Sequence, residues 1–157
     1  MSTAVIQILS GGLGTLGFAL CSHIRLKHLL TATVGGMLGW GVYLLALAGG
    51  CNLFVCNLIS AMAIYAWSEC MARTMKAPVT IFLVPGVIPL LPGGYLYYTM
   101  RALLYHEMEQ FQHYGVDTVL ITMGIACGVV ICSIVISYFI KTREQLRAGR
   151  HKGATHK

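Results

Sequence analysis

The segment VTIFLVPGVIPLLPGGYLYYTM (Val79–Met100) is long and apolar enough to cross a lipid bilayer, but it contains three of the chain's four prolines. Proline has no backbone N–H, and its ring keeps the carbonyl group four residues earlier from helical hydrogen bonding. In hydrocarbon an unpaired backbone group is costly, so a broken helix persists only against other protein or around a polar cavity. The spacing predicts a broken helix with unpaired carbonyl groups at Ile81, Pro85 and Ile88, and this break is the first candidate for a functional site.

The rest of the chain is also apolar, since 57% of its 157 residues are hydrophobic and only 10% are charged. Soluble domains carry about 25% charged residues, so the composition indicates an integral membrane protein. The net charge of +6 does not indicate nucleic-acid binding, because six of the eleven Lys and Arg residues lie in Lys141–Lys157. The sequence has no C-x-x-C pair, no metal-ligand spacing and no catalytic set. We therefore expect no metal, no cofactor and no enzymatic activity.

Five apolar segments have about the length of a membrane crossing. They predict an all-α integral membrane protein with five transmembrane helices, the fourth broken by proline and glycine. A single transmembrane domain would cover residues 1–140, and residues 141–157 would form a basic cytoplasmic tail. The connection 101–114 has an amphipathic pattern, which predicts a short helix on the outer surface or an extension of the fourth helix. The predicted spans are 4–21, 29–48, 53–71, 79–100 and 118–140.

Charged residues in the connections orient the predicted helices, because short cytoplasmic loops collect Lys and Arg. If all five segments cross, ten of the eleven Lys and Arg residues lie on one side. The N-terminus is then outside and the C-terminus inside. A fourth segment that entered and left on the same side would place the basic tail outside, so a complete but broken crossing is favoured. No basic residue precedes the first segment, which we therefore expect to be retained as a span.

Two polar residues stand out in the third span. Glu69 is the one acidic residue within any predicted span, and Arg73 follows it by four residues. The carboxylate is either half of an ion pair along the helix or a protonatable group that couples transport to protons. Asn57 lies deeper, and such a side chain more often hydrogen-bonds a neighbouring helix than a substrate.

Glycines four residues apart occur in the second span, Gly35 with Gly39, and in the fifth, Gly124 with Gly128. Small residues at this spacing let two helices approach closely. The pairs indicate either packing within the chain or the docking of a second subunit. The aromatic residues of the spans, by contrast, are typical of interfacial anchors or helix contacts.

The broken segment has the features of a site for a small anion. If the first half-helix ends near Val84–Pro85 and the second begins near Pro92, the N–H groups of Gly93 and Gly94 are unpaired donors at the positive end of a helix dipole. Such a helix start binds carboxylates without a cationic side chain. The alternative is a proline-kinked helix that packs dry against its neighbours. Hydroxyl groups follow at Tyr95, Tyr97, Tyr98 and Thr99.

The same residues resemble the signature of the bacterial threonine/serine exporter family. The run KAPVTIFLVPGVIPLLPG (Lys76–Gly93), followed by Tyr97, carries the resemblance. The sequence G-x-x-G-F-A at Gly14–Ala19 and the glycine-rich second span extend it over Met1–Ile140. The chain is similar to the small C-terminal half of that family, which also occurs as a separate subunit. By resemblance, the motif positions are Pro85, Gly86, Pro89, Pro92, Gly93 and Tyr97.

The resemblance implies a transport function. Fused members export threonine and serine with the proton gradient, whereas split members pair a small subunit with a larger one, and one split pair is linked to succinate export. We therefore expect a membrane subunit of a two-component, proton-coupled exporter of small carboxylate-bearing metabolites in the bacterial inner membrane. Its expected partners are the larger subunit, the lipid bilayer, a second copy of the chain and the substrate. The alternative is an accessory subunit that stabilises a larger transporter subunit without contacting substrate.

Overall fold

A computed structural model describes residues 2–154, with side chains described for residues 3–142. Every regular element in this part of the chain is helical, which confirms the predicted all-α class. Residues 155–157, at the end of the predicted tail, lie outside the described residues. The elements are α1 (Ser2–Cys21), α2 (Leu26–Ala48), α3 (Leu53–Met75), α4 (Thr80–Val87), a 3-10 turn (Ile88–Leu90), α5 (Gly93–Leu104) and α6 (Met108–Ala154).

Most of the helices have the length and composition of membrane spans. Helices α1, α2 and α3, and the part of α6 from Met108 to Thr142, are each long and apolar enough to cross a bilayer. Helix α4, the 3-10 turn and α5 pass the same test together, with a bend of 50° between the two parts. The described residues therefore contain four candidate spans, or five if the bent pair forms one span.

The connection between α5 and α6 matches one predicted alternative in part, because α5 extends the broken span to Leu104. A tight turn separates the two helices, with His106 in the left-handed conformation at φ 57°. The N–H of Glu107 donates to the carbonyl of Ala102 at 2.9 Å, which closes the end of α5. A single amphipathic helix over residues 101–114 is therefore not formed. Instead α5 extends to Leu104 and α6 begins at Met108. Both helices run beyond their apolar residues, because backbone hydrogen bonds continue a helix whatever the polarity of its side chains.

Helix α3 is the centre of the bundle and packs against α2, α4 and α6. Ile64, which is fully buried on α3, fills space left by two glycines. A Cβ atom at Gly39 of α2 would lie 2.5 Å from Ile64 Cγ1, and one at Gly86 of α4 would lie 2.9 Å from Ile64 Cγ2. Both positions require glycine, because a larger residue would displace the central side chain of the core.

Helix α6 packs directly on the backbone of α3. A Cβ atom at Gly124 would lie 2.6 Å from the carbonyl oxygen of Phe54, and one at Gly128 would lie 2.5 Å from that of Leu58. The two contacts advance by four residues along both helices, so α3 and α6 run parallel. The chain between them, including α4 and α5, therefore returns from the end of α3 towards its beginning.

The glycines of α2 also contact helices of the same chain. A Cβ atom at Gly35 would lie 2.9 Å from Cδ1 of Trp67 on α3. The indole N–H of Trp67 in turn donates to the carbonyl of Thr31 at 3.1 Å, which ties α3 to α2. All four glycines of the two predicted pairs thus lie at contacts between helices within the chain.

Candidate functional site

The break between α4 and α5 begins later than the sequence predicts. Pro85 lies inside α4, which continues through Val87, and the 3-10 turn then carries the chain to Leu90. The first half-helix does not end at Val84–Pro85, because a proline in the second turn of a helix removes only one hydrogen bond. Pro92 ends the break and occupies the position that precedes the first residue of α5.

Hydrogen bonds between residues three apart pair two of the carbonyl groups that the prolines leave without an α-helical partner. The N–H of Ile88 donates to the carbonyl of Pro85. The N–H of Leu91 donates to the carbonyl of Ile88 at 3.2 Å. The predicted loss of partners is therefore wrong for Pro85 and Ile88. A 3-10 turn bonds residues three apart, so it reaches carbonyl groups that α-helical bonding leaves unpaired here.

The first turn of α5 presents backbone donors. The N–H of Gly93 donates to the carbonyl of Leu91 at 2.8 Å, so it is not the free donor that the sequence predicts. The next two N–H groups, of Gly94 and Tyr95, have no backbone acceptor outside the helix among the described residues, and Pro92 provides no side-chain cap. The first N–H groups of a helix have no partner within it. These two donors therefore lie at the positive end of the α5 dipole.

A cavity of about 220 Å³ opens at this helix start. The aromatic rings of Trp40 and Tyr43, on α2, form part of its wall and stack with their centroids 5.1 Å apart. Asn57 of α3 also lines it and is only 2% exposed. Its Nδ2 donates to the carbonyl of Leu53 at 2.8 Å, while its Oδ1 accepts no hydrogen bond from the described residues. The lining residues are Trp40, Tyr43, Asn57, Pro89, Leu90, Leu91, Pro92, Gly93, Gly94, Tyr95 and Ile121.

Trp40 carries a buried hydrogen-bond donor without a partner. Its indole Nε1 is the one such side-chain atom among the described residues. A buried unpaired donor costs about 1–3 kcal/mol, whereas other buried polar side chains of the bundle bond locally. Ser60 and Ser68, for example, each donate to the carbonyl four residues earlier on α3. Among the described residues, the wall of the cavity therefore contains the one buried side-chain donor without a partner.

The structure brings part of the predicted site together and separates the rest. Pro85 and Gly86 are buried where α4 packs, with a Cβ atom at Gly86 only 3.9 Å from the backbone of Gly35 and Gly36 on α2. Tyr97 is 63% exposed and does not line the cavity. The predicted residues that do line the cavity are Asn57, Pro89, Pro92, Gly93 and Gly94.

Glu69 lies away from this cavity and forms an ion pair. Arg73 donates from Nε and Nη2 to Oε1 of Glu69, at 2.9 Å and 2.6 Å. Glu69 follows Asn57 by twelve residues on α3, which separates them by about 18 Å along the helix axis. The structure thus contains the ion pair that the spacing predicts, and the proton-coupling role of Glu69 stays a prediction.

The sequence reasoning did not identify Trp40, Tyr43 and Ile121 as parts of the site, whereas Tyr95, named there for its hydroxyl group, does line the cavity. Trp40 and Tyr43 are three residues apart and share a face of α2, which is the signal that their spacing offers. Aromatic character alone indicates interfacial anchoring equally well. For Ile121 no sequence signal exists, because only the packing of α6 brings it to the break.

The family comparison identifies the group to which the chain belongs. Residues 7–135 match the family described as threonine/serine exporter, ThrE. The chain belongs to the threonine/serine exporter family. The resemblance seen in the motif is thereby confirmed, and the match includes every residue that lines the cavity. Comparison with curated proteins and comparison with solved structures each found no match.

Membership in this family and the apolar helices together indicate a multi-pass membrane protein of exporter type. Within the described residues no group of three or more metal-binding side chains occurs. For a member of the threonine/serine exporter family, the cavity between α4 and α5 is therefore the candidate place for a transported molecule.

Proposed function

We propose that this chain is a membrane subunit of a two-component secondary exporter and that it binds a small carboxylate-bearing metabolite at the break between α4 and α5. Threonine, serine and succinate-like dicarboxylates are the candidate substrates. The observation that carries the proposal is the cavity at the start of α5, where the N–H groups of Gly94 and Tyr95 have no backbone acceptor in the described part of the chain.

The chemistry of the cavity favours a carboxylate. None of its lining residues is charged, so an anion is held there by backbone donors and by the helix dipole. Transporters commonly bind substrates where a helix is interrupted. The Asn57 amide supplies a polar partner for a hydroxyl, amino or second carboxylate group. The volume is below the roughly 300–1,000 Å³ of sites for drug-sized molecules, which favours a small metabolite.

We infer that α4 and α5 together make one complete crossing of the bacterial inner membrane. The parallel arrangement of α3 and α6 supports this, because the chain has to return across the bundle between them. With five crossings the basic loop residues share one side of the membrane with the tail after α6. The positive-inside rule then places the N-terminus outside and the C-terminus inside.

We further propose Glu69 as the residue that couples export to protons. Its side chain is 14% exposed, whereas that of its partner Arg73 is 55% exposed.

The proposed partner is a larger membrane subunit of the same family. Helix α1 offers a face to it, because a Cβ atom at Gly14 or Gly17 would meet nothing within 4 Å. Another helix can approach closely at such small residues. If the chain is instead an accessory subunit that never contacts substrate, substitutions at the break leave the export rate unchanged. Export by variants at Gly94 therefore separates the two functions.

The decisive variants are Gly94→Pro and Gly94→Ala, measured by efflux of threonine, serine and succinate from cells that express the chain with its larger subunit. Proline is tolerated in the first turn of a helix but removes the N–H. Alanine keeps the N–H, and its Cβ atom meets nothing within 4 Å. We expect Gly94→Pro to lower export at least about tenfold, the value of one hydrogen bond to a charged group, and Gly94→Ala to export normally. Equal export by both variants, at equal membrane levels, would contradict the proposed site.

A further inference from the structure

A second cavity, of about 370 Å³, lies at the end of the bundle where α1 meets α2 and α3 meets α4. Arg25 lines it from the first connection, Lys27 from the first turn of α2, and Lys76 from the connection between α3 and α4. The ion pairs of the described residues involve other basic residues, namely Arg73 and His113. Three basic residues therefore line one cavity without an acidic partner among the described side chains.

The backbone at this cavity places basic residues where glycine is usual. His23 and Lys76 have φ values of 54° and 50°, and each follows the end of a helix. A residue in this left-handed position at a helix end is most often glycine, because a Cβ atom is unfavourable there. Both residues line the cavity. Strained positions of this kind are commonly associated with function.

The cavity is closed towards the interior of the bundle. His28 forms part of its floor, is 5% exposed and lies with Nδ1 3.2 Å from Sδ of Met75. The His28 ring also meets Phe82 edge to face, with ring centroids 5.5 Å apart. Phe82 belongs to a buried apolar cluster with Ala32 and Ala72. A charged ligand is therefore held at the surface, and the apolar cluster separates it from the break between α4 and α5.

The position of the cavity indicates which class of anion it binds. It lies at the ends of three candidate spans, which places it at the level of the lipid headgroups. On α2, next to the basic residues, Leu26 and Leu30 are 77% and 72% exposed and offer an apolar surface to an acyl chain. We propose that this cavity binds the phosphate group of an anionic phospholipid and thereby links the α1–α2 loop to the start of α4. Basic pockets between helices on the cytoplasmic side have this chemistry.

The test measures retention of phosphatidylglycerol and of phosphatidylcholine by the purified full chain, using native mass spectrometry. We expect one phosphatidylglycerol to be retained in preference to phosphatidylcholine. Lys76→Gln should weaken phosphatidylglycerol binding about tenfold, the value of one charge-assisted hydrogen bond. The matched control is Lys141→Gln, because Lys141 is an exposed lysine at the same end of the bundle, given that α3 and α6 are parallel. Equal losses in the two variants, or no preference for phosphatidylglycerol, would overturn the proposal.

Lys76→Gly keeps the proposal testable if Lys76→Gln folds poorly. Glycine is favourable at a φ of 50°, so we expect this variant to have a raised Tm in the absence of lipid and yet to lose phosphatidylglycerol. Full lipid retention by Lys76→Gly would overturn the site. In a final arm, inorganic phosphate replaces chloride at equal ionic strength in lipid-free detergent. We expect phosphate to leave the Tm unchanged. If phosphate raised the Tm of the wild-type chain but not that of Lys76→Gly, the cavity would bind a free anion, and the lipid assignment would be overturned.

Discussion

A Cβ atom added at Gly128 would lie 2.5 Å from the carbonyl oxygen of Leu58, so α6 rests on the backbone of α3. Contact between two backbones leaves no flexible side chain that can move aside. The alignment of α6 along α3 is consequently determined by glycine positions. That alignment makes the two helices parallel and brings Ile121 to the cavity at the break.

The first prediction concerns this contact. Gly128→Ala should lower the free energy of unfolding by about 1–3 kcal/mol, because the added methyl group overpacks a contact that cannot relax locally. Gly14→Ala is the matched control, since a Cβ atom there meets nothing within 4 Å, and it should be neutral or stabilising. Thermal unfolding of the purified chain in detergent measures both. Similar Tm values for the two variants would show that α6 does not rest on α3 in this way.

The second prediction concerns Asn57. Asn57→Leu keeps the approximate volume and removes the amide, so the apparent KM for export should rise about tenfold if the amide bonds the substrate. Ser60→Ala is the control, because Ser60 Oγ donates to the carbonyl of Cys56 within its own helix. Export by reconstituted vesicles at several substrate concentrations gives the KM. An unchanged KM in Asn57→Leu would remove this side chain from the site.

The third prediction compares the two tryptophans. Trp40→Phe removes a buried donor that has no partner, whereas Trp67→Phe removes one that donates to the carbonyl of Thr31. Both changes replace an indole by a phenyl ring, and they differ in whether a hydrogen bond is lost. We expect Trp67→Phe to be less stable than Trp40→Phe by about 1–3 kcal/mol in thermal unfolding. The reverse order would mean that the indole of Trp40 is paired in the native protein.

The fourth prediction concerns proton coupling. Glu69→Gln removes the one carboxylate within the spans predicted from the sequence, so export should lose its dependence on the proton gradient. Glu109→Gln is the control, because Glu109 is an exposed acid in the first turn of α6. The measurement is export with and without a protonophore. Full dependence on the gradient in Glu69→Gln would leave Glu69 as a structural partner of Arg73 alone.

The helical class was predictable from the sequence because hydropathy reports directly on membrane burial. The ends of elements were less predictable, since a helix is continued by backbone hydrogen bonds whatever the polarity of its side chains. Helix α6 therefore begins at Met108, well before its apolar stretch, and α4 continues through Pro85 to Val87. The 3-10 turn was also beyond prediction, because its bonds depend on how Ile88 and Leu91 are positioned by packing.

The sequence by itself determined an apolar helical chain, a break at the proline–glycine segment, an ion pair between Glu69 and Arg73 as one of two alternatives, and the family. These features depend on composition or on neighbours along the chain, which local spacing records. Only the tertiary structure decided which residues surround the break. Trp40, Asn57 and Ile121 come from three different helices and meet there because glycine contacts set how α2, α3 and α6 align. Tyr97 does not line the cavity, because the packing of α5 turns this side chain outward.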